Sequence, residues 1–259
     1  MFLHHIRSLR EQGLSTYLSV GVPITAPIRG RFRHINPSAS VWSGGSLPRV
    51  IDIAVLGRAF AGDGCSQEQV GTLRVRSGAV VAADPVHARR PAFTVEIPNG
   101  DHPVVGVDDM AAVILIVADG HPTRWELALL PGQDVSELAA NATYGYPVDS
   151  GFGSFVDAEG ALLWAEECEA LDEPAFLDAM DDLLFDENAP DGHLIGSLLP
   201  DDGAVRVHNP LGYNLVTFVS GRGDGYYATW VGLDSDNLPI CLLTDFGLLL
   251  KGIAEPPAR

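Results

Sequence analysis

The sequence predicts an α+β fold built mainly on an antiparallel β-sheet meander, with one acidic helical insertion at about 158–186 and an irregular N-terminal arm. Three observations support it. Short alternating segments separated by turn residues fill the chain after residue 71, helical spacing is confined to 158–186, and proline and glycine crowd the stretch before residue 49. With 46% apolar residues among 259, the chain can build a sizeable core.

The N-terminal region predicts little regular structure. Residues 1–12, "MFLHHIRSLREQ", are expected to form a short amphipathic helix, without the continuous apolar core of a signal peptide. Residues 21–48 contain four prolines and four glycines, which favours an irregular arm. The segment "RVIDIAVL" at 49–56 predicts a strand. We therefore expect residues 1–65 to be a helix and arm packed on one β-rich domain, 66–259.

Alternating apolar and polar residues predict the strands. In "TLRVRSGAVVAADP", Leu73 and Val75 alternate with arginines, and Ser77-Gly78 predicts the turn of a hairpin. Short links predict that the later strands continue this antiparallel meander, at 92–98, 102–107, 111–119 and 124–130. A three-stranded meander is predicted near the C-terminus, with strands at 214–219, 226–233 and 238–244, and with the glycines of 220–225 in its first turn.

The stretch 158–186 predicts two helices whose polar faces are nearly all acidic. Its apolar residues recur at helical intervals, and Pro174 suits the first turn of the second helix. The first helix is expected to bury Leu162, Leu163, Cys168 and Leu171, and the second Phe176, Met180, Leu183 and Leu184.

Charge is distributed unevenly along the chain, whose net charge is −18. Residues 1–100 hold eleven Arg and six Asp or Glu, whereas residues 101–259 hold five Lys or Arg and twenty-eight Asp or Glu. This balance disfavours binding to nucleic-acid backbones. The acidic half is either a solvated face that aids solubility or a surface for a basic protein partner.

Several chemistries are excluded by residue usage. Lys251 is the only lysine, so neither a P-loop nor a Schiff-base lysine is predicted. Three cysteines far apart in the sequence make neither a disulfide framework nor a zinc finger, and they favour a reducing, cytoplasmic location. No apolar run reaches eighteen residues, so we predict no membrane span.

Four segments resemble an uncharacterised bacterial family catalogued as domain of unknown function 4241. They are "SGAVVAADP" (77–85), "IPNGDHPV" (97–104), "YGYPVDSGFGSFVD" (144–157) and "SGRGDGYYATWVGLDSDNLPICLLTDF" (220–246). The resemblance covers roughly residues 70–250 and implies a β-rich fold, but it names no reaction. The chain departs from the family pattern at Ser150, Ser154 and Arg222. The resemblance marks these motif positions: Asp84, Asp149, Gly151, Asp157, Gly223, Asp224, Gly225 and Asp245.

The candidate ligand-binding residues come from these motifs and their neighbours: Asp84, Asp149, Ser150, Gly151, Asp157, Ser220, Arg222, Asp224 and Asp245. If the fold brings them together, Asp149, Asp157 and Asp224 suit a divalent cation such as Mg²⁺ or Ca²⁺, which prefers oxygen ligands. The alternative is that each aspartate caps a turn through backbone amides. No other cofactor is predicted.

A serine nucleophile at Ser150 or Ser154 would need a histidine base, and the candidates His102, His121, His193 and His208 lie in no telling sequence context. Three function classes remain. The first is a cytoplasmic binding or interaction protein, such as an acidic accessory or toxin-neutralising protein. The second is a metal-dependent, hydrolase-like enzyme with a carboxylate-lined pocket, and the third is a small-ligand sensor. Convergence of Asp149, Asp157, Asp224 and Asp245 in one pocket would favour the enzyme.

Overall fold

The computed structural model describes residues 53–139, 142–185, 192–198 and 207–249, so the predicted helix 1–12 and the arm lie outside the described residues. The helices are α1 (Ile53–Ala61), α2 (Ala158–Ala170) and α3 (Glu173–Phe185), with short 3-10 turns at Pro85–His87 and Val135–Glu137. The strands are β1 (Gln67–Val75), β2 (Val80–Ala83), β3 (Gly100–Val107), β4 (Ala112–Ile116), β5 (Arg124–Leu127), β6 (Tyr146–Val148), β7 (Phe152–Asp157), β8 (His193–Leu194), β9 (Asn214–Val219), β10 (Gly225–Leu233) and β11 (Pro239–Asp245).

These strands form two antiparallel sheets. The large sheet has the order β1-β3-β4-β11-β10-β5, and β6 pairs with one end of β10. The small sheet has the order β2-β7-β9-β8. The predicted α+β class, with mainly antiparallel sheet and helices at 158–186, is confirmed.

The core consists of three apolar layers. Between the sheets, residues such as Leu115, Phe155 and Leu242 pack together and are fully buried. On the outer face of the large sheet, α1 buries Val55, Leu56 and Ala59. On the outer face of the small sheet, the helices bury Trp164, Met180 and Leu183, among other side chains. The two sheets therefore lie between α1 on one side and the acidic helices on the other.

Helix α2 begins where Asp157 accepts hydrogen bonds from the backbone N–H groups of Glu159 and Gly160. Pro174 lies in the first turn of α3, as predicted. Leu162, which we expected to be buried, is 52% exposed. Among the described helices, none has both the length and the apolar character needed to cross a membrane.

The structure corrects the predicted strand at 49–56, because residues 53–61 form α1. Residues 49–52 lie outside the described part of the chain. Val55, Leu56 and Ala59 recur at helical spacing, but a short apolar run does not distinguish a strand from a buried helix. The expected strand at 92–98 is irregular chain.

Strand pairing also differs from the predicted meander. β1 pairs with β3, whereas β2 pairs with β7 in the other sheet, so Ser77-Gly78 does not close a hairpin. Likewise, β9 belongs to the small sheet and β10 to the large sheet. The glycine-rich segment 220–224 therefore links two sheets. Alternation identifies a strand and its buried face, but it does not identify the partner strand.

Candidate functional site

Loops from both sheets meet at one corner of the molecule, which we call the aspartate corner: Asp84, Asp149, Ser150, Gly151, Ser220 and Asp224. Asp84 follows β2, residues 149–151 join β6 to β7, and Ser220 and Asp224 belong to the link from β9 to β10. Hydrogen bonds tie these segments together. Six of the nine predicted binding residues are therefore brought together.

Asp84 is the centre of this corner and is 2% exposed. Its Oδ2 accepts from the backbone N–H groups of Asp149 and Ser150, each at 2.8 Å. Its Oδ1 accepts from the Ser150 hydroxyl and from the Val86 N–H, each at 2.9 Å. Four donors compensate the buried carboxylate, so Asp84 fixes the two loops and has little remaining capacity to act as a base or a metal ligand.

Ser220 holds the link between the sheets against the β6–β7 turn. Its backbone N–H donates to the Gly151 carbonyl at 2.9 Å, and its hydroxyl lies 2.6 Å from the Gly223 carbonyl. The Tyr227 hydroxyl donates to the same Gly223 carbonyl at 2.6 Å. The link is thus anchored by buried side chains at both ends.

Gly221 permits this close packing. Its φ is +57°, and a Cβ at this position would lie 2.0 Å from the carbonyl oxygen of Met110. No side chain fits such a contact, and the left-handed conformation disfavours L-residues as well. Gly221 is therefore explained by the crossing between the sheets, without a ligand.

Two aspartates at this end of the sheets have perturbed acidity. Burial raises the pKa of Asp224, and the neighbouring carboxylates of Asp149 and Asp84 raise it further. Burial also raises the pKa of Asp245 to about 6, although its hydrogen bond from the Gly247 N–H acts in the opposite direction. Burial raises the pKa of the Tyr227 hydroxyl, although its hydrogen bond with Ser220 and the exposed Arg222 act in the opposite direction.

Asp157 does not join the corner. It lies at the far end of β7, and Asp157 and Phe152 are about 17 Å apart at the usual rise of a strand. Its Oδ2 accepts from the N–H groups of Arg76 and Ser77, while Oδ1 caps α2. The structure therefore places Asp157 apart from Asp149 and Asp224, with which the sequence analysis grouped it. Across the described residues, no three His, Cys, Asp or Glu side chains are arranged to hold a metal ion.

Within the described residues, neither the Ser150 nor the Ser154 hydroxyl has a hydrogen bond with a histidine. The Ser150 hydroxyl donates to Asp84, and the Ser154 hydroxyl donates to the Ala83 carbonyl at 2.8 Å. His102 Nε2 lies 2.7 Å from the Pro98 carbonyl, in a different part of the fold. Both serine hydroxyls therefore have structural partners within the small sheet and its loops.

A second region, which we call the arginine crevice, was not predicted from the sequence. It lies beside Arg90 and is lined also by Phe93, Leu130, Gln133 and Tyr146. Unlike the corner, it contains a polar group without a partner: Gln133 Nε2 is buried and unpaired within the described chain. The only hint in the sequence is the Arg89-Arg90 pair before Pro91, since nothing around Gln133 marks it as special.

The third region is the outer surface of α2 and α3, which we call the acidic face. Its exposed residues are Glu159, Leu162, Glu166, Glu169, Asp172, Leu177, Asp178 and Asp182. In this set Leu162 and Leu177 are 52% and 59% exposed. Within the described structure, Arg89 is the only cation paired with this face, at 3.3 Å from Glu169.

Comparison with known proteins identifies a matching protein family. A protein-family model described as a protein of unknown function (DUF4241) matches residues 73–244. Neither the curated proteins nor the solved structures contain a match to the chain. The matched range runs from β1 to β11 and includes all six residues of the aspartate corner.

Proposed function

The chain belongs to the DUF4241 family of proteins of unknown function, and we propose that it is a binding protein whose acidic face takes a basic protein partner. The observation that carries the proposal is the composition of that face, where six exposed carboxylates surround two exposed leucines. Such a surface offers charge for steering and apolar area for contact. An accessory or toxin-neutralising role is one form of this function.

The sequence around the face supports the same proposal. No Lys or Arg occurs between Arg124 and Arg206, so the helices have no cation of their own within that stretch. Solubility alone would not require Leu162 and Leu177 to be exposed among the carboxylates. A basic partner with apolar side chains would cover both kinds of residue.

The hydrolase-like alternative has less support. An enzyme of that class needs carboxylates free to bind a cation or move a proton. The Asp84 and Asp157 carboxylates instead accept four backbone or hydroxyl donors each. The sensor alternative is favoured by one observation, the unpaired Gln133 Nε2 of the arginine crevice.

Two matched double variants test the proposed partner. Glu166→Gln with Asp182→Asn removes two charges from the acidic face, and Asp119→Asn with Asp236→Asn removes two exposed charges elsewhere. Immobilised wild type and the control should retain the same basic proteins from a lysate of the native host. The face variant should lose them, and about 0.5 M salt should release them because it screens exposed charges. Equal retention by both variants, or retention in molar salt, would contradict the proposal.

A further inference from the structure

The arginine crevice is a narrow opening beside β6. It encloses about 250 Å³ of empty space including its mouth, and its inner part has room for about one water-sized group. Apolar side chains of Phe93 and Leu130 line it together with Arg90. One oxygen atom of a ligand fits the inner space, and the rest of that ligand would lie at the mouth.

Arg90 is half-buried, and within the described residues its guanidinium has neither an ion pair nor a hydrogen-bond acceptor. Burial lowers the pKa of Arg90, and the hydroxyls of Tyr226 and Tyr146 offset this only in part. The neighbouring Arg89 differs, because its guanidinium reaches Glu169. The guanidinium is only partly removed from water, so it is available to donate to an anion at the mouth of the crevice.

Gln133 adds a second donor to the same crevice. Its Oε1 accepts from the Leu130 N–H at 2.8 Å, which fixes Nε2 as the free end of the amide. Nε2 is buried without a partner in the described structure. The Gln133 amide N–H therefore requires an acceptor that the described chain does not supply.

We propose that the arginine crevice binds a carboxylate group, with Arg90 and Gln133 donating to its two oxygens and Phe93 and Leu130 flanking the attached carbon chain. The planar guanidinium matches a planar carboxylate, and a single cation suits a singly charged ligand better than a phosphate dianion. The carboxylate comes either from a free organic acid or from the C-terminus of a polypeptide. This inference does not depend on the partner of the acidic face.

Thermal unfolding in the presence of matched ligands tests the proposal. The probes are butyrate against butyramide, and a short peptide with a free against an amidated C-terminus, all at equal ionic strength set with chloride. A carboxylate that binds should raise the wild-type melting temperature by about 3–6 °C at ten times its Kd. A rise with butyrate indicates a free acid, and a rise only with the free-ended peptide indicates a chain terminus. No rise above the amide controls would overturn the proposal.

Variants locate the effect. Arg90→Gln should abolish the rise, whereas Arg89→Gln, the matched loss of one charge in the same loop, should keep it. Gln133→Glu retains the acceptor for Leu130 and places a carboxylate of the protein itself beside Arg90, so added carboxylate should no longer stabilise it. If Arg90→Gln does not fold, the response of Gln133→Glu to added carboxylate tests the assignment instead. A rise that persists in Gln133→Glu, or one lost equally in both arginine variants, would contradict the assignment.

Discussion

The aspartate corner and the arginine crevice lie close together in the sequence. They differ in whether their polar groups have hydrogen-bond partners within the protein. In the corner, each oxygen of the buried Asp84 carboxylate has two donors from the protein. In the crevice, the donors of Arg90 and Gln133 have no acceptor within the described residues. A polar cluster that satisfies itself stabilises the fold, while a cluster that does not requires water or a ligand to satisfy it.

The contrast between these two regions bears on the role of the family motif residues. The motif residues Asp84, Gly151 and Asp224 meet in the corner, and Asp157 caps a helix. Asp84 and Asp157 hold loops and helix ends in place through backbone N–H groups. These two motif aspartates therefore have structural partners on both oxygens.

The largest effect that tests this comparison is expected from Asp84→Ala. The change leaves three backbone N–H groups and a buried hydroxyl without their acceptor, so the free energy of unfolding should fall by about 3–5 kcal/mol. Denaturant titration measures it. Asp234→Ala is the control, because Asp234 accepts two N–H groups in a turn open to water and should cost only about 1 kcal/mol. Similar losses for both variants would show that the corner is not a structural centre.

A smaller effect, which depends on pH, is expected at Asp245. Its folded pKa of about 6 lies above the ordinary aspartate pKa of 3.8, so the folded protein binds the proton more tightly than the unfolded chain does. Wild-type stability should therefore decrease as pH rises from 4 to 6, by at most about 3 kcal/mol and less where water reaches the carboxyl.

Asp245→Asn keeps an acceptor for the Gly247 N–H and carries no charge. It should match wild type at pH 4 and exceed its stability at pH 7. Melting curves of both proteins across this range check the prediction. If the melting temperatures of the two proteins change in parallel with pH, burial does not perturb the pKa of Asp245. This end of the sheets would then be as solvated as an ordinary surface.

Local structure was largely predictable from the sequence. Alternation located strands such as β3 and β10, and helical spacing together with Pro174 located α2 and α3. Strand partners were not predictable. Whether β2 pairs with β1 or with β7 depends on contacts such as Asp157 with the Arg76 N–H, more than eighty residues away in sequence.

The site was predictable only in part, for the same reason. The resemblance marked aspartates that do converge, but no sequence feature showed that backbone N–H groups saturate Asp84. Arg90 and Gln133 lie forty-three positions apart and outside any motif, and they meet only because both loops reach the same side of β6. An unpaired donor is a property of the folded chain and has no signature in the sequence.

The most direct test of the account is the stability of Gln133→Glu without any ligand. The substitution supplies the missing acceptor, so the free energy of unfolding should rise by about 1 kcal/mol at pH 7, in contrast to the loss at Asp84. The gain should vanish when Arg90 is also changed to Gln, which a double-mutant cycle measures. Destabilisation by Gln133→Glu, or a gain that persists without Arg90, would contradict the claim that the crevice lacks an anion.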